Sequence, residues 1–250
     1  EYEKTGGQIT AKSDFVRNML LDYIKSETGG RQDLIDKLIP DYAPMVRRPI
    51  VDNGWYRALT RDNVELVTED IVRFTDTGME TADGVHHDLD VVVSATGYDI
   101  VKYLWPAEYF GRNGVNLHEK WEEESPMAYV GMMVPGFPNL FTLYGPNSQP
   151  VSGGVALPAW YQMWAGFVAR CLIGIIEQGK QTVEVTDEAF RDYNEKLVEE
   201  SQKLIMVTEE ASAKKNYYVQ NGRMQVNAPW ETCDYYRMTS YPDPEAIIYQ

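Results

Sequence analysis

Cysteine and histidine are scarce in this 250-residue chain, which has two cysteines and three histidines. Cys171 and Cys233 make neither a close metal-ligand pair nor a disulfide framework, which is typical of a reducing, cytoplasmic compartment. His86 and His87 are adjacent on a predicted strand, so their side chains point to opposite faces and predict no metal site. The longest apolar stretch, 155–176, is interrupted by polar and charged residues, so it predicts a core helix and no membrane partner.

Positive charge is also in short supply. Lys and Arg total 23 against 38 Asp and Glu, a formal net charge of −15, which argues against a nucleic-acid or anionic-membrane partner. The 44% hydrophobic content is enough for one large domain or two modest ones. The chain contains no Gly-x-Ser-x-Gly, His-Glu-x-x-His, P-loop or Gly-x-Gly-x-x-Gly motif, so none of these points to its chemistry.

A strand, a glycine-bearing turn and a long helix are predicted in succession near the middle of the chain. Leu140–Tyr144 has the apolar character of a buried strand, and Gly145-Pro-Asn-Ser148 follows it as a tight turn. Val155–Ile176 is apolar enough for a buried helix. Backbone N–H groups and the positive helix end would gather at this turn, so the pattern predicts a site for an anionic or electron-rich ligand.

A second turn of this kind follows another predicted strand. Leu89–Ala95 is a nearly continuous branched run, typical of a buried strand, and it ends at Thr96-Gly97. Any strand can end in a small-residue turn, so this signal alone is weak. Two strand–turn units together favour a nucleotide-type cleft at strand carboxyl ends.

The remaining pattern predicts short elements on both sides of this region. Apolar residues at helical or strand spacing predict several further elements. Thr186 is the predicted N-cap of the last helix, and Asn221-Gly222 is a predicted hairpin turn. The predicted helices cover 13–28, 33–39, 53–59 and 186–206, and the predicted strands cover 64–67, 71–74 and 182–185.

Arg47 and Arg48 lie between two prolines and before a predicted helical turn. A guanidinium fixed in this way suits a phosphate or a developing oxyanion. The alternative is a solvated pair of surface charges.

Three ordered stretches resemble landmarks of the class B flavoprotein monooxygenases, Baeyer–Villiger branch. They are PDYAPMVRRPIVDNGWYRALTRDNVELVT, DLDVVVSATGYD and YVGMMVPGFPNLFTLYGPNS. The similarity is closest to the 4-hydroxyacetophenone and cyclohexanone monooxygenase types and covers about Ile39 to Tyr241. The tail KNYYVQNGRMQVNAPW is similar to the C-terminal segment of the same group.

The resemblance implies an α/β fold, part of a flavoprotein with two Rossmann-like dinucleotide-binding domains, three-layer packing and a β-meander. Residues 1–40 would be the end of the NADPH-binding domain, and 41–250 the C-terminal half of the FAD-binding domain with an extension. The glycine fingerprints of that family would lie in a missing N-terminal half. The implied reaction uses FAD, NADPH and O₂ to insert one oxygen beside a ketone carbonyl.

Site residues follow from the same resemblance. Arg48 matches the family arginine that stabilises the anionic oxygenated cofactor, and Arg47 replaces a lysine suited to the NADPH phosphate. Tyr217 stands where the family has a cofactor-side tryptophan. The two turns would lie against FAD and comprise Ala95, Thr96 and Gly97 in the first, and Gly145, Pro146, Asn147 and Ser148 in the second.

Two alternatives remain open on sequence grounds. A related flavin monooxygenase could oxygenate nitrogen or sulfur instead of a ketone. The segment by itself could also be a non-catalytic remnant or an interaction module.

Overall fold

The computed structural model describes residues 11–151, 157–208, 216–220 and 222–250. The chain divides between Tyr98 and Asp99 into two compact units. Helices and strands occur in both units, in agreement with the predicted α/β class. The predicted start of the long helix at Val155 and the hairpin residue Asn221 lie outside the described residues.

The first unit begins with helices, as their apolar spacing predicts. Helix α1 (Ala11–Glu27) ends before Gly29 and Gly30, whose positive φ angles of 62° and 74° turn the chain out of the helix. Only Ile24 of α1 is buried, so most of its apolar face is exposed. The helices of this unit are α1 (Ala11–Glu27), α2 (Gln32–Leu38) and α3 (Trp55–Ala58).

Three short antiparallel strands at 71–75, 78–81 and 86–88 follow and pair in chain order. The tight turns between them confirm the predicted turns, and Gly84 has a φ of 83°. A Cβ on Gly78 would lie 1.8 Å from the His87 carbonyl oxygen, so this close strand pairing requires glycine. The predicted strand at 64–67 is wrong, because no ladder forms there. The three strands are β1 (Ile71–Thr75), β2 (Gly78–Thr81) and β3 (His86–Asp88).

The prediction of a buried strand at Leu89–Ala95 is also wrong. This segment is exposed and unpaired, with Val91 76% and Val93 82% accessible. The Leu89 N–H donates to Thr77 O, but residues 90–95 make no backbone hydrogen bond within the described ranges. A branched run forms a strand only where a neighbouring strand completes its ladder, and this unit supplies none in its described part.

The second unit packs around one long helix. Its buried side chains recur at helical spacing and form the centre of the main apolar cluster: Trp160, Met163, Trp164, Phe167 and Cys171. This confirms a helix with a core face in the predicted region. By length and composition alone, it is also the one helix in the described part that could cross a membrane.

Strands and short helices surround this helix. The predicted strand near 182–185 is confirmed, and it pairs antiparallel with the last strand. In chain order the elements are α4 (Leu117–Glu124), β4 (Gln149–Pro150), α5 (Leu157–Glu177), β5 (Val183–Val185), α6 (Asp187–Ser201), α7 (Ile205–Thr208), β6 (Val219–Gln220), β7 (Arg223–Met224), β8 (Asn227–Ala228), α8 (Thr232–Ser240) and β9 (Ile247–Tyr249).

The N-cap of α6 is the predicted one. The Thr186 hydroxyl accepts a hydrogen bond from the Ala189 N–H at 3.1 Å. The helix ends at Ser201 instead of continuing to Met206, because the N–H groups of residues 202–204 bond to carbonyls three residues earlier, at 199–201. These tighter bonds end the regular α-helix.

The predicted strand at Leu140–Tyr144 is wrong. The Thr142 N–H donates to Met132 O, and the Asn139 N–H donates to Val183 O, so neighbouring residues bond to different parts of the unit. Tyr144 has a φ of 63°, which a strand cannot accommodate. The segment is an irregular, partly buried connection to the turn that follows.

The two thiols lead to a labelling prediction. Cys171 is buried and Cys233 is exposed, and burial raises the pKa of the Cys171 thiol to about 12. Because only a thiolate reacts, a thiol reagent at mildly alkaline pH will label one cysteine per native chain and both after unfolding. Cys233→Ser should abolish native labelling. Rapid native labelling in that variant would contradict the burial of Cys171.

Candidate functional site

The Gly145–Ser148 turn is buried along its whole length. Tyr144 before it and Asn147 within it both have positive φ angles, 63° and 51°. The left-handed region is costly for residues other than glycine, so neighbouring contacts must hold this backbone in place.

A segment near the chain's end supplies those contacts. We call residues 223–228 the clasp. The Asn147 N–H donates to Gln225 O at 3.0 Å, and the Asn147 Nδ2 donates to Met224 O at 2.7 Å and to Asn227 O at 3.3 Å. Strands β4 and β8 continue this contact as a parallel pair.

Thr142 and Gly131 form the floor under the turn, and they pack closely against Gly145. A Cβ on Gly145 would lie 2.2 Å from Thr142 Oγ1 and 2.4 Å from Gly131 O. A Cβ on Gly131 would lie 2.5 Å from the Ser148 Cβ. Glycine at 145 is therefore required by packing within the protein.

These contacts decide which groups of the turn remain for a ligand. The Ser148 hydroxyl donates to Gly145 O at 2.7 Å, and the Asn147 side chain is used by the clasp. The Gly145 and Ser148 N–H groups have no acceptor within the described ranges. Two free main-chain donors on a rigid turn fit an electron-rich ring edge or an anion.

Arg223 of the clasp brings a positive charge to the back of the turn. Its Nη2 lies 3.4 Å from Asn147 Oδ1, and burial lowers the pKa of its guanidinium. It makes no ion pair with any residue that the structure describes. The Tyr103 hydroxyl donates to Gln225 O at 3.1 Å, and burial raises its pKa, so it remains a neutral donor.

An apolar cleft of about 440 Å³ lies beside the turn. Its lining residues are Leu143, Tyr144, Tyr161 and Trp164. The Tyr144 ring meets Trp164 edge-on at 5.6 Å, and the Tyr144 hydroxyl donates to Gln149 Oε1 at 2.8 Å. The cleft has room for a small apolar molecule.

The sequence did not indicate the clasp or the cleft. The contacts between the clasp and Asn147 join residues at least 76 positions apart in sequence, as in the Arg223–Asn147 contact. The Asn227-Ala228 end of the clasp has no strand-like alternation, and its pairing depends on a distant partner. The amide in the middle of the turn, Asn147, was the one usable signal, because a buried amide needs several partners.

The other predicted site residues of the first unit have different surroundings. The Arg47 guanidinium lies 4.7 Å from the Tyr42 ring centre and is half-buried. Arg48 is exposed and makes no hydrogen bond or ion pair with the described residues. Ala95, Thr96 and Gly97 are exposed as well, and Gly97 has a φ of 86° with open space where a Cβ would be.

Tyr217 belongs to the second unit and precedes Tyr218, whose carbonyl oxygen accepts from the Gln225 N–H of the clasp at 2.8 Å. It is half-exposed, and its hydroxyl donates to Tyr218 at 3.0 Å. No hydrogen bond or ring contact joins it to residues 145–148 in the described part of the chain. Its assignment to the cofactor remains a prediction.

Gly145→Ala should destabilise the protein by about 1–3 kcal/mol, because the added methyl group meets the fixed floor of the turn. Gly166→Ala is the matched control. There a Cβ would lie 2.9 Å from the movable end of Arg170, inside α5, so we expect a gain of about 0.5–1 kcal/mol. Urea unfolding of both variants measures the difference. Equal stability of the two would contradict the packing described for the turn.

No protein-family model matches this chain. Among curated proteins, an uncharacterized monooxygenase of Sinorhizobium fredii is 33% identical over 235 residues, covering 94% of this chain and 35% of that protein. A Baeyer–Villiger monooxygenase of Pseudooceanicola batsensis is 34% identical over 186 residues, covering 72% of this chain and 32% of that protein. The chain thus spans about a third of the length of these relatives.

The fold of this chain is also similar to solved monooxygenase structures. The crystal structure of OTEMO in complex with FAD and NADP matches with a TM-score of 0.77 and 26% identity, covering 90% of this chain and 42% of that one. The chain therefore belongs with the Baeyer–Villiger and related flavin monooxygenases, and it corresponds to the C-terminal portion of these longer proteins.

Proposed function

We propose that this chain is the C-terminal portion of an FAD- and NADPH-dependent Baeyer–Villiger monooxygenase. In the reaction, a ketone, O₂, NADPH and a proton give an ester or lactone, NADP⁺ and water. The observation that carries the proposal is the 34% identity to a Baeyer–Villiger monooxygenase, which extends over 72% of the chain.

The domain organisation belongs to the same proposal. Residues 1–40 would end the NADPH-binding domain of a protein with two Rossmann-like domains. Residues 41–250 would complete the FAD-binding domain and its extension. The preceding part of the longer protein is then the main partner, and we propose a cytoplasmic location.

The described residues fit a bound flavin in three respects. The Gly145 and Ser148 N–H groups are free to donate, the turn that carries them is rigid, and Gly97 leaves its surroundings open. FAD, when bound, supplies the activation of O₂ with electrons from NADPH.

The chain's own residues would bind and orient the two cofactors. The Gly145–Ser148 turn and Ala95–Gly97 would hold the flavin. Arg47 would contact the NADPH phosphate, and Tyr217 would replace the family tryptophan beside the cofactor. Arg48, exposed and without an ion-pair partner in the described part, would stabilise negative charge on oxygen during the reaction.

The isolated chain should be colourless after purification and should not retain FAD. The segment before the Ala95–Gly97 turn is exposed and unpaired, so that turn has no sheet to hold it in a binding geometry. The ratio of the absorbance at the visible flavin bands to the absorbance at the protein band gives the flavin content. Stoichiometric yellow colour would show that this segment binds the cofactor unaided and would contradict this expectation.

In the longer protein, Arg48→Ala should reduce ketone oxygenation by roughly 100- to 1,000-fold, because a fixed cation is lost at the site of developing negative charge. Arg61→Ala is the control, since it removes another exposed arginine of the same unit. Product formation from cyclic and aryl ketones is measured beside oxidation of a thioether and an amine.

The outcomes separate the alternatives. Loss of ketone oxidation with retained sulfur or nitrogen oxidation supports the assignment of Arg48. Unchanged ketone oxidation contradicts that assignment. An absence of all oxygenation and of FAD binding in the wild-type longer protein would favour a non-catalytic module.

A further inference from the structure

Trp164, Tyr235 and the Val130 carbonyl form a buried chain of hydrogen bonds inside the core of the second unit. The Trp164 Nε1 donates to the Tyr235 hydroxyl at 2.8 Å, and this hydroxyl donates to Val130 O at 2.6 Å. The Trp160 ring stacks on the Tyr235 ring at 4.0 Å. The three aromatic residues and Val130 are all buried, so each of these polar groups depends on its partner.

The carbonyl that Tyr235 contacts belongs to a strained corner. Val130 has a φ of 45° and Gly131 a φ of 73°. A β-branched residue rarely adopts a positive φ, because its Cβ meets the following carbonyl. The hydrogen bond from Tyr235 fixes the carbonyl of this residue and so helps to hold the corner.

The same corner forms the floor under the Gly145–Ser148 turn. Thr142 Oγ1 donates to Gly131 O at 3.0 Å, and that oxygen lies 2.4 Å from the position of a Gly145 Cβ. A Gly131 Cβ would lie 2.5 Å from the Ser148 Cβ. Movement of the corner therefore has to move the turn, because no space separates them.

We propose that Tyr235 is a positioning residue for the Gly145–Ser148 turn, acting through the Val130–Gly131 corner. The ligand consequence rests on the proposed function, in which the turn holds the flavin. The link between Tyr235 and the turn concerns this chain alone.

A second buried tyrosine provides a matched control. The Tyr193 hydroxyl accepts from Trp230 Nε1 at 2.9 Å, as Tyr235 accepts from Trp164. It donates to no acceptor in the described part of the chain. Tyr193→Phe therefore removes a similar hydroxyl from the same core without removing a hydrogen bond to the corner.

The experiment compares Tyr235→Phe with Tyr193→Phe by amide hydrogen exchange on this chain, at matched global stability set by urea. We expect the Thr142, Asn147 and Gln149 N–H groups to exchange about tenfold faster in Tyr235→Phe than in Tyr193→Phe. Exchange in the β5–β9 pair should be equal. Equal exchange at residues 142–149 in both variants would overturn the proposal.

A second variant tests the same corner through its hydrogen bond with Thr142. Thr142→Val keeps the side-chain shape and removes the hydrogen bond to Gly131 O. We expect faster exchange at Asn147 and Gln149. Unchanged exchange there would overturn the coupling between corner and turn, including the case in which Tyr235→Phe does not fold.

Flavin binding is tested separately in the longer protein. Tyr235→Phe should raise the FAD dissociation constant about tenfold relative to Tyr193→Phe. Faster exchange with an unchanged dissociation constant would overturn the role of Tyr235 in cofactor positioning. If the wild-type longer protein binds no FAD, the proposed function fails, while the exchange result still decides the positioning role.

Discussion

A buried turn made of polar main chain must find hydrogen-bond partners inside the protein, and the second unit is arranged around this requirement. The Gly145–Ser148 turn lies out of water, so each of its polar groups costs free energy unless it is paired. The clasp supplies the pairing through carbonyl groups of residues 224, 225 and 227. Removing the clasp would leave the Asn147 amide buried and unsatisfied.

The two unpaired donors of the turn stand in contrast to its paired groups. The Asn147 N–H, the Asn147 side chain and the Ser148 hydroxyl all bond to protein, whereas the Gly145 and Ser148 N–H groups do not bond to any described residue. A turn that its protein contacts hold in place, with two donors that have no described acceptor, is preorganised for hydrogen bonding. Arg223 adds a desolvated positive charge behind the turn, which raises the local potential for an electron-rich group.

The first unit has apolar groups in contact with water, in contrast to the buried polar turn of the second unit. Apolar side chains of α1 and of residues 91–93 are exposed, and the branched segment has no ladder partner in the described part. Hydrophobic residues in this number are normally covered in a folded protein. The proposed longer protein accounts for this exposure, because its preceding part would offer strands to complete a sheet.

Helix periodicity was the reliable signal in this chain. The apolar spacing of α5, the N-cap Thr186 and the glycines after α1 each depend on neighbours within a few residues, so the sequence alone located these helices. The short hairpin turns are local for the same reason. The family motifs also identified the Gly145–Ser148 turn as a structural landmark.

The strands at 89–95 and 140–144 could not be judged from sequence, because a strand exists only where another segment completes its hydrogen bonds. Apolar and branched composition is shared by a paired strand, an exposed run and a partly buried irregular connection. Sequence patterns located α1, α2, α3, the core face of α5 and the start of α6, together with the short turns and the glycine-bearing loop, but they missed α4 and α8. Tertiary structure decided which extended segments pair, that Asn147 bonds to a clasp far along the chain, and that Tyr235 reaches the Val130 carbonyl, because these contacts join residues whose spacing in sequence carries no information about their distance in space.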